Sequence, residues 1–158
     1  MNIKISSFIP PILLLCILFY SYYTTRDIKD RKKANQLILQ NVIQIYVPFT
    51  SLFFFVGHIF MGEKVAKSIG WKGGSGFQKE VAFAAASYGI AALYSYINPN
   101  INVFKTIAIS VSAFAVGTVL VHLDDAVKRH NFSFNNVIAA PLGSIFKVVT
   151  LAYLVTHS

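Results

Sequence analysis

Residues 104–122 read FKTIAISVSAFAVGTVLVH, and Lys105 is the one Lys, Arg, Asp or Glu residue among them. A helix needs roughly 20 predominantly apolar residues to cross the hydrocarbon core of a bilayer. Backbone polar groups in lipid must pair within the protein, which leaves helices or closed barrels as spanning structures. The run is too continuously apolar for the alternating strands of a barrel. It therefore predicts a transmembrane helix.

Four further apolar runs lie on either side of this stretch, at residues 8–23, 42–61, 81–97 and 137–156. Only 13% of the residues are charged, whereas a soluble domain carries about a quarter. The first run resembles a signal peptide but lacks a small-residue cleavage site after it, which favours a retained span. Pro48 is expected to kink the second run without ending it. We predict a single all-α membrane domain over residues 1–158, a four-helix core plus an N-terminal span.

The chain carries a formal net charge of +8. A soluble protein with that charge would be a candidate for binding nucleic acid, but the sequence contains no basic reading helix or related motif. We therefore expect no nucleic-acid partner. Basic residues beside spans contact anionic headgroups, so the expected partners are the bilayer and either further copies of the chain or other membrane subunits. The dense basic cluster at residues 26–33 favours a cytoplasmic location for that loop.

Small residues four positions apart occur in two of the runs, as Ala85 with Gly89 and as Ala113 with Gly117. Such pairs allow membrane helices to approach closely. Because a short turn joins these two runs, we expect them to pack as an antiparallel hairpin.

Polar residues gather near one predicted membrane face, since alternating spans bring the ends of the second and fourth runs to the starts of the third and fifth. The candidate polar site comprises His58, Glu80, His122, Asp124, Asp125 and Asn131. Of these, His58, Glu80 and His122 could hold a metal ion or form a proton relay. No HxxxH or HExxH spacing is present, so a metal site would require convergence in the folded chain.

A structural role is the preferred interpretation of the same residues. Glu80 stands where a helix begins, a position that favours a carboxylate, and the histidines would bond to backbone or water. Asp124 and Asp125 would form a solvated face that offsets the basic pair at residues 128–129.

A glycine-rich segment and a lysine inside an apolar run also allow more than one interpretation. The glycine-rich residues 72–76 lack the context of a phosphate-binding loop, and we predict a flexible turn after an interfacial anchor, Trp71. Lys147 lies inside the fifth run, where it would reach a headgroup or neutralise an acid in the bundle.

Three segments resemble the core motif of an uncharacterised family of small bacterial membrane proteins. They are Gly57-His58, then Val65-Ala66-Lys67-Ser68-Ile69-Gly70-Trp71, then Gly74-Ser75-Gly76-Phe77-Gln78-Lys79-Glu80-Val81. A second motif is similar at His122, Asn131 and Asn135, although Asn135-Asn136 stands where Gly and Asn are expected. The helix arrangement also resembles, more loosely, the DoxX-type bundle, which implies quinone- or redox-associated partners.

The resemblance implies a bacterial inner-membrane location and no established activity. Three functions remain open at this point. We favour a non-enzymatic accessory or structural membrane component. The alternatives are a small transporter or permeation component, and a membrane redox or metal protein that uses His58, Glu80 and His122. No order of Ser, His and Asp suggests nucleophilic catalysis, and no cofactor is predicted.

Overall fold

The computed structural model describes residues 7–73 and 76–158. Within these two stretches the chain forms six helices, which we number α1 to α6 in chain order. They are α1 Ile9–Thr25, α2 Arg31–Phe60, α3 Gly62–Ser68, α4 Phe77–Ile97, α5 Ile101–Arg129 and α6 Asn135–His157. The predicted all-α bundle is confirmed. Lys4, the basic residue before the first apolar run, lies outside the described residues, as do Gly74 and Ser75 of the motif quoted above.

Three of the helices, α2, α5 and α6, are long and apolar enough to cross a membrane by length and composition. The shorter α1 is also apolar, with 17 residues. Large apolar side chains are exposed on the outer surfaces of the bundle, among them Phe19, Leu52, Phe83, Leu120 and Val149. Such a surface suits lipid better than water. The chain is therefore a helical protein of membrane character, and the count of five spans stays a prediction.

Two helices extend beyond the predicted apolar runs, because polar residues cap the start of one and form an ion pair along the other. Asp30 caps α2, since its carboxylate accepts a hydrogen bond from the backbone N–H of Lys33 at 3.2 Å. The last three residues of the predicted charged loop, 31–33, are thus helical. At the other end of the bundle, Lys128 pairs with Asp124 at 2.8 Å across one turn of α5. This pair lies in the polar continuation of α5 beyond residue 122.

Two prolines lie inside long helices, and each follows a π-helical turn. The turns are Val42–Tyr46 before Pro48 and Asn135–Ala139 before Pro141. Proline has no N–H to donate and its ring crowds the carbonyl four residues earlier. In α2 that carbonyl belongs to Gln44, and it accepts the hydroxyl of Tyr96 at 2.8 Å instead. The helix continues past Pro48, as predicted.

The most extensive packing joins the second half of α2 to α4, and α5 to α6. The apolar core lies where α1, α2, α5 and α6 meet, around the fully buried side chains of Leu14, Leu39, Ile43 and Leu151. This core occupies the half of the bundle near the α1–α2 connection. The opposite end holds the polar residues described below.

Gly89 allows α4 to approach a neighbouring helix closely, as predicted for small residues. That neighbour is α2 and not α5, which was the expected partner. A Cβ added at Gly89 would lie 2.8 Å from the Cβ of Ser51. The second pair does not mediate contact within the chain, because Ala113 and Gly117 are both exposed. The predicted α4–α5 hairpin is therefore the lesser contact of α4.

Replacing Gly89 with alanine is expected to lower the free energy of unfolding by about 1–2 kcal/mol. Overpacking against Ser51 outweighs the helix-propensity gain of about 1 kcal/mol from losing a glycine. Thermal unfolding in detergent, followed by circular dichroism, measures the change. Gly117→Ala is the matched control, since none of the described residues outside its own helical turn lies within 4 Å of its Cβ position. A Gly89→Ala protein as stable as Gly117→Ala would contradict the tight α2–α4 crossing.

Candidate functional site

A hydrogen-bonded network closes the end of the bundle where α5 ends and α6 begins. Asn136 is fully buried there. Its side-chain oxygen lies 2.6 Å from Nδ1 of the buried His122. Its amide nitrogen donates to the carbonyls of Asn131 at 2.9 Å and His122 at 3.4 Å. Since the amide nitrogen already donates, the oxygen must accept, and His122 carries its hydrogen on Nδ1.

Asp125 extends the network from α5 to the loop that follows α3. The indole N–H of Trp71 donates to its carboxylate at 2.8 Å, and the amide of Asn131 donates to the same oxygen at 2.6 Å. Arg129 lies 3.6 Å from the other oxygen. A buried carboxylate is costly unless it is paired and hydrogen-bonded, and these three donors meet that need.

Asn131 follows the left-handed residue His130, which has φ 53° and ends α5. Its amide also donates to the carbonyl of Ile69 at 2.6 Å, and its oxygen accepts the backbone N–H of Ser133 at 3.2 Å. All the hydrogen-bonding capacity of this side-chain amide nitrogen is thus directed within the protein. The result is a fixed contact between the α3–α4 loop and the α5–α6 loop.

Trp71 forms the outer layer of the same network. Its ring stacks on His122 at 5.4 Å between ring centroids and lies 5.7 Å from the ring of Phe77. The role of Trp71 as an anchor in the interface stays a prediction. The structure shows contacts that the sequence did not predict, with the ring of His122 and the carboxylate of Asp125.

His58 belongs to a second and separate contact, between α2 and the first turn of α4. Its Nδ1 is hydrogen-bonded to the side-chain oxygen of Gln78, which is buried. The imidazole also stacks on the ring of Phe54, with 6.2 Å between the ring centroids. On α6, the ammonium of Lys147 lies 5.8 Å from the centre of the same Phe54 ring.

The structure brings together three of the six candidate residues, His122, Asp125 and Asn131. His58 binds Gln78 instead, and the exposed carboxylate of Glu80 makes no hydrogen bond or ion pair with a described residue. Among residues 7–73 and 76–158, no group of three or more His, Cys, Asp or Glu side chains could hold a metal ion. The set His58, Glu80 and His122 therefore does not form such a group.

The two adjacent acids of α5 have different roles. Asp124 is exposed and pairs with Lys128, which fits the solvated face expected of both acids. Asp125 is buried and serves the network, so that expectation is corrected for this residue. Successive helical residues point about 100° apart, and a single step of the chain moves a side chain from the surface to the interior.

Sequence reasoning missed Gln78 and Asn136 as members of these contacts. Gln78 is the residue that holds His58, and Asn136 joins α5 to α6. A usable signal existed for Asn136, because an amide at the start of an apolar run must find partners once it is buried. Gln78 carried no comparable signal among the charged residues beside it.

Comparisons with known proteins place the chain in a family without assigning an activity. No curated protein and no solved structure matches it. The DoxX-type resemblance stays a hypothesis. A family model matches residues 6–158, which include every residue of both contacts. The chain therefore belongs to DUF6790, a family of unknown function.

Proposed function

We propose that this protein is a non-enzymatic component of a membrane, which acts through contacts of its apolar surface with other membrane subunits or with further copies of itself. The observation that carries the proposal is that the buried polar residues form hydrogen bonds within the protein. Asp125, Asn131 and Asn136 bind one another and the adjoining loops. Groups engaged in this way stabilise the fold and are not directed at a substrate.

The geometry of the network supports a structural function in a second respect. It joins residues from the loop after α3, the end of α5 and the start of α6, and it does so through short bonds of 2.6–2.9 Å. Buried networks in which every member is satisfied make a structure rigid. The network thus holds two loops and two helices in one arrangement beneath Trp71.

Partner contacts would use the exposed apolar faces. Phe83 and Ile90 of α4 are 63% and 68% exposed, seven residues apart and so on one helix face. In α6, Leu142 and Val149 are likewise seven residues apart and 58% and 62% exposed. Each pair gives a face on which a crosslinking residue can be placed without disturbing the interior.

Photo-crosslinking in native membranes tests this proposal. A benzophenone amino acid is placed at Phe83, Ile90, Leu142 or Val149 in turn, and the products are identified by mass spectrometry. We expect a discrete protein product from one face and lipid alone from the other. The His122→Leu/Asn136→Leu variant should retain that product if it folds, since the network is structural. Lipid products alone at all four positions, or loss of the product in the folded variant, would contradict the proposal.

A permeation component is the second candidate, and Lys147 is the observation that favours it. Lys147 is a half-buried residue of a helix long enough to span a membrane, and its ammonium has no ion pair with a described residue. Ionisable groups at membrane depth are costly and often mark transport pathways. Flux of chloride and of protons into proteoliposomes, compared between wild type and Lys147→Met, tests this function. Flux that the substitution abolishes would make permeation the better proposal.

Lys147→Met is expected to raise the free energy of unfolding by about 1 kcal/mol. An unpaired ammonium in the membrane interior costs about 2.5–3.5 kcal/mol, and the contact with the Phe54 ring offsets part of this cost. The melting temperature in detergent checks the result. Lys128→Met is the control, because that lysine is exposed and pairs with Asp124 at the surface. A destabilised Lys147→Met protein would show that the ammonium has a favourable partner in the bundle.

A further inference from the structure

A groove of about 410 Å³ lies on the outside of the bundle between α1, α2 and α6. Its walls include Leu18 and Tyr22 of α1, Asn35 and Ile38 of α2, and Thr150 and Leu154 of α6. The volume falls within the range of about 300–1,000 Å³ that is usual for small-ligand sites. The groove is mostly apolar, and one end of it includes Tyr22 and Asn35, which lie within two turns of the α1–α2 connection.

That end of the groove coincides with the basic cluster of the chain. Residues 26–33 contain five basic and two acidic residues, all next to the last turn of α1 and the first turn of α2. The two acids already have local partners. A carboxylate oxygen of Asp27 lies 3.7 Å from Nε of Arg26, and Asp30 caps α2. The cluster therefore presents an excess of positive charge.

Helix geometry brings one of these charges to the groove. Arg31, Asn35 and Ile38 follow one another at spacings of four and three, so they share a face of α2. Asn35 and Ile38 line the groove, and Arg31 continues the same face about 6 Å further toward the α1–α2 connection. Lys33 points to the opposite side, about 200° around the helix from Arg31.

We propose that this groove is a binding site for one anionic phospholipid. An acyl chain would lie along Leu18, Ile38 and Leu154, and the phosphate would lie within reach of Arg31. Juxtamembrane basic clusters attract anionic lipid headgroups, and the groove adds a place for the chain of the same molecule. Asn35 also donates to the carbonyl of His157 at 3.2 Å, which joins α2 to the end of α6 at this site.

Native mass spectrometry of the delipidated protein in detergent tests the site. The probes are palmitoyl-oleoyl-phosphatidylglycerol and the neutral phosphatidylcholine with the same acyl chains. We expect one phosphatidylglycerol to bind each chain more tightly than phosphatidylcholine. Arg31→Gln should weaken phosphatidylglycerol binding about fivefold, the effect of one positive charge near the headgroup. Lys33→Gln makes the same change of charge on the other face of α2 and should change the affinity by less than about twofold.

A variant with a filled groove distinguishes lipid binding in the groove from non-specific attraction of anionic lipid to the basic cluster. Thr150→Trp should remove the tightly bound phosphatidylglycerol while leaving the helix content and the net charge unchanged. Ile38→Phe serves the same purpose if Thr150→Trp does not fold. Equal affinities for the two lipids, equal effects of Arg31→Gln and Lys33→Gln, or full binding by a folded groove-filled variant would overturn the proposal.

Discussion

Gly70→Ala is expected to lower the free energy of unfolding by about 2–4 kcal/mol. Gly70 has φ +78°, and a Cβ there would lie 2.5 Å from the side-chain oxygen of Asn131. The left-handed conformation costs an alanine about 1–2 kcal/mol. Displacing Asn131 removes its bonds to Asp125 and to the carbonyl of Ile69. Asp125 keeps Trp71 and Arg129 as partners, whereas the Ile69 carbonyl is left unpaired at a cost of about 1–3 kcal/mol.

Two readouts distinguish loss of the network from loss of the whole fold. Trp71 is the only tryptophan of the chain, so its fluorescence reports on the network directly. Circular dichroism reports on the helices. In Gly70→Ala we expect the emission of Trp71 to move toward that of a solvated indole at a temperature where helix content is still that of wild type.

A double-mutant cycle separates the two causes. Asn131→Ala removes the clashing side chain together with its hydrogen bonds, so Gly70→Ala/Asn131→Ala should lose less stability than the sum of the single variants. The difference should be about 1–3 kcal/mol, the share that both single variants lose in common. Strictly additive losses would show that Asn131 does not lie against Gly70.

The helices could be predicted from sequence because the membrane imposes a simple requirement. Long apolar runs must form helices when no water is present to satisfy the backbone, and residues 104–122 show this within α5. Alternation of the runs also predicted that His122 and Asn131 would lie at the same end of the bundle as His58. These inferences depend on the lengths and order of the runs and not on the partner of any single side chain.

The pairing of side chains could not be predicted in the same way. The sequence interpretation grouped Glu80 with His58 and His122 as candidates for a metal ion or a proton relay, although it preferred a structural role for all three. The structure pairs His58 with the buried Gln78, which is about 200° around α4 from Glu80. Burying a neutral amide with a hydrogen bond costs far less than burying a carboxylate. The helix therefore turns its amide inward and leaves the carboxylate at the surface.

The pattern of apolar residues also could not predict the two π-helical turns. Their positions follow from the prolines, since each turn ends two residues before Pro48 or Pro141. The second turn contains Asn136. The proline that alters the start of α6 therefore lies close to the residue that connects α6 to His122.

Asn136→Leu is expected to lower the free energy of unfolding by about 2–4 kcal/mol, although leucine has a similar volume. The substitution leaves the Nδ1–H of His122 and the carbonyl of Asn131 without their bonds at 2.6 and 2.9 Å. Unpaired groups in a buried position carry the full cost of lost hydration. Unfolding in detergent, with Trp71 fluorescence as the local probe, measures the loss.

The double variant His122→Leu/Asn136→Leu measures how much the interaction between these two buried residues contributes to the free energy of unfolding. Removing both members leaves no orphaned imidazole, and exchanging two bonded polar groups for apolar ones of similar shape is often nearly neutral. The double variant should therefore be more stable than the two single losses together imply, by about 1–2 kcal/mol. Additive losses would mean that His122 and Asn136 act independently. His122 would then depend on its stacking with Trp71 for its place in the bundle.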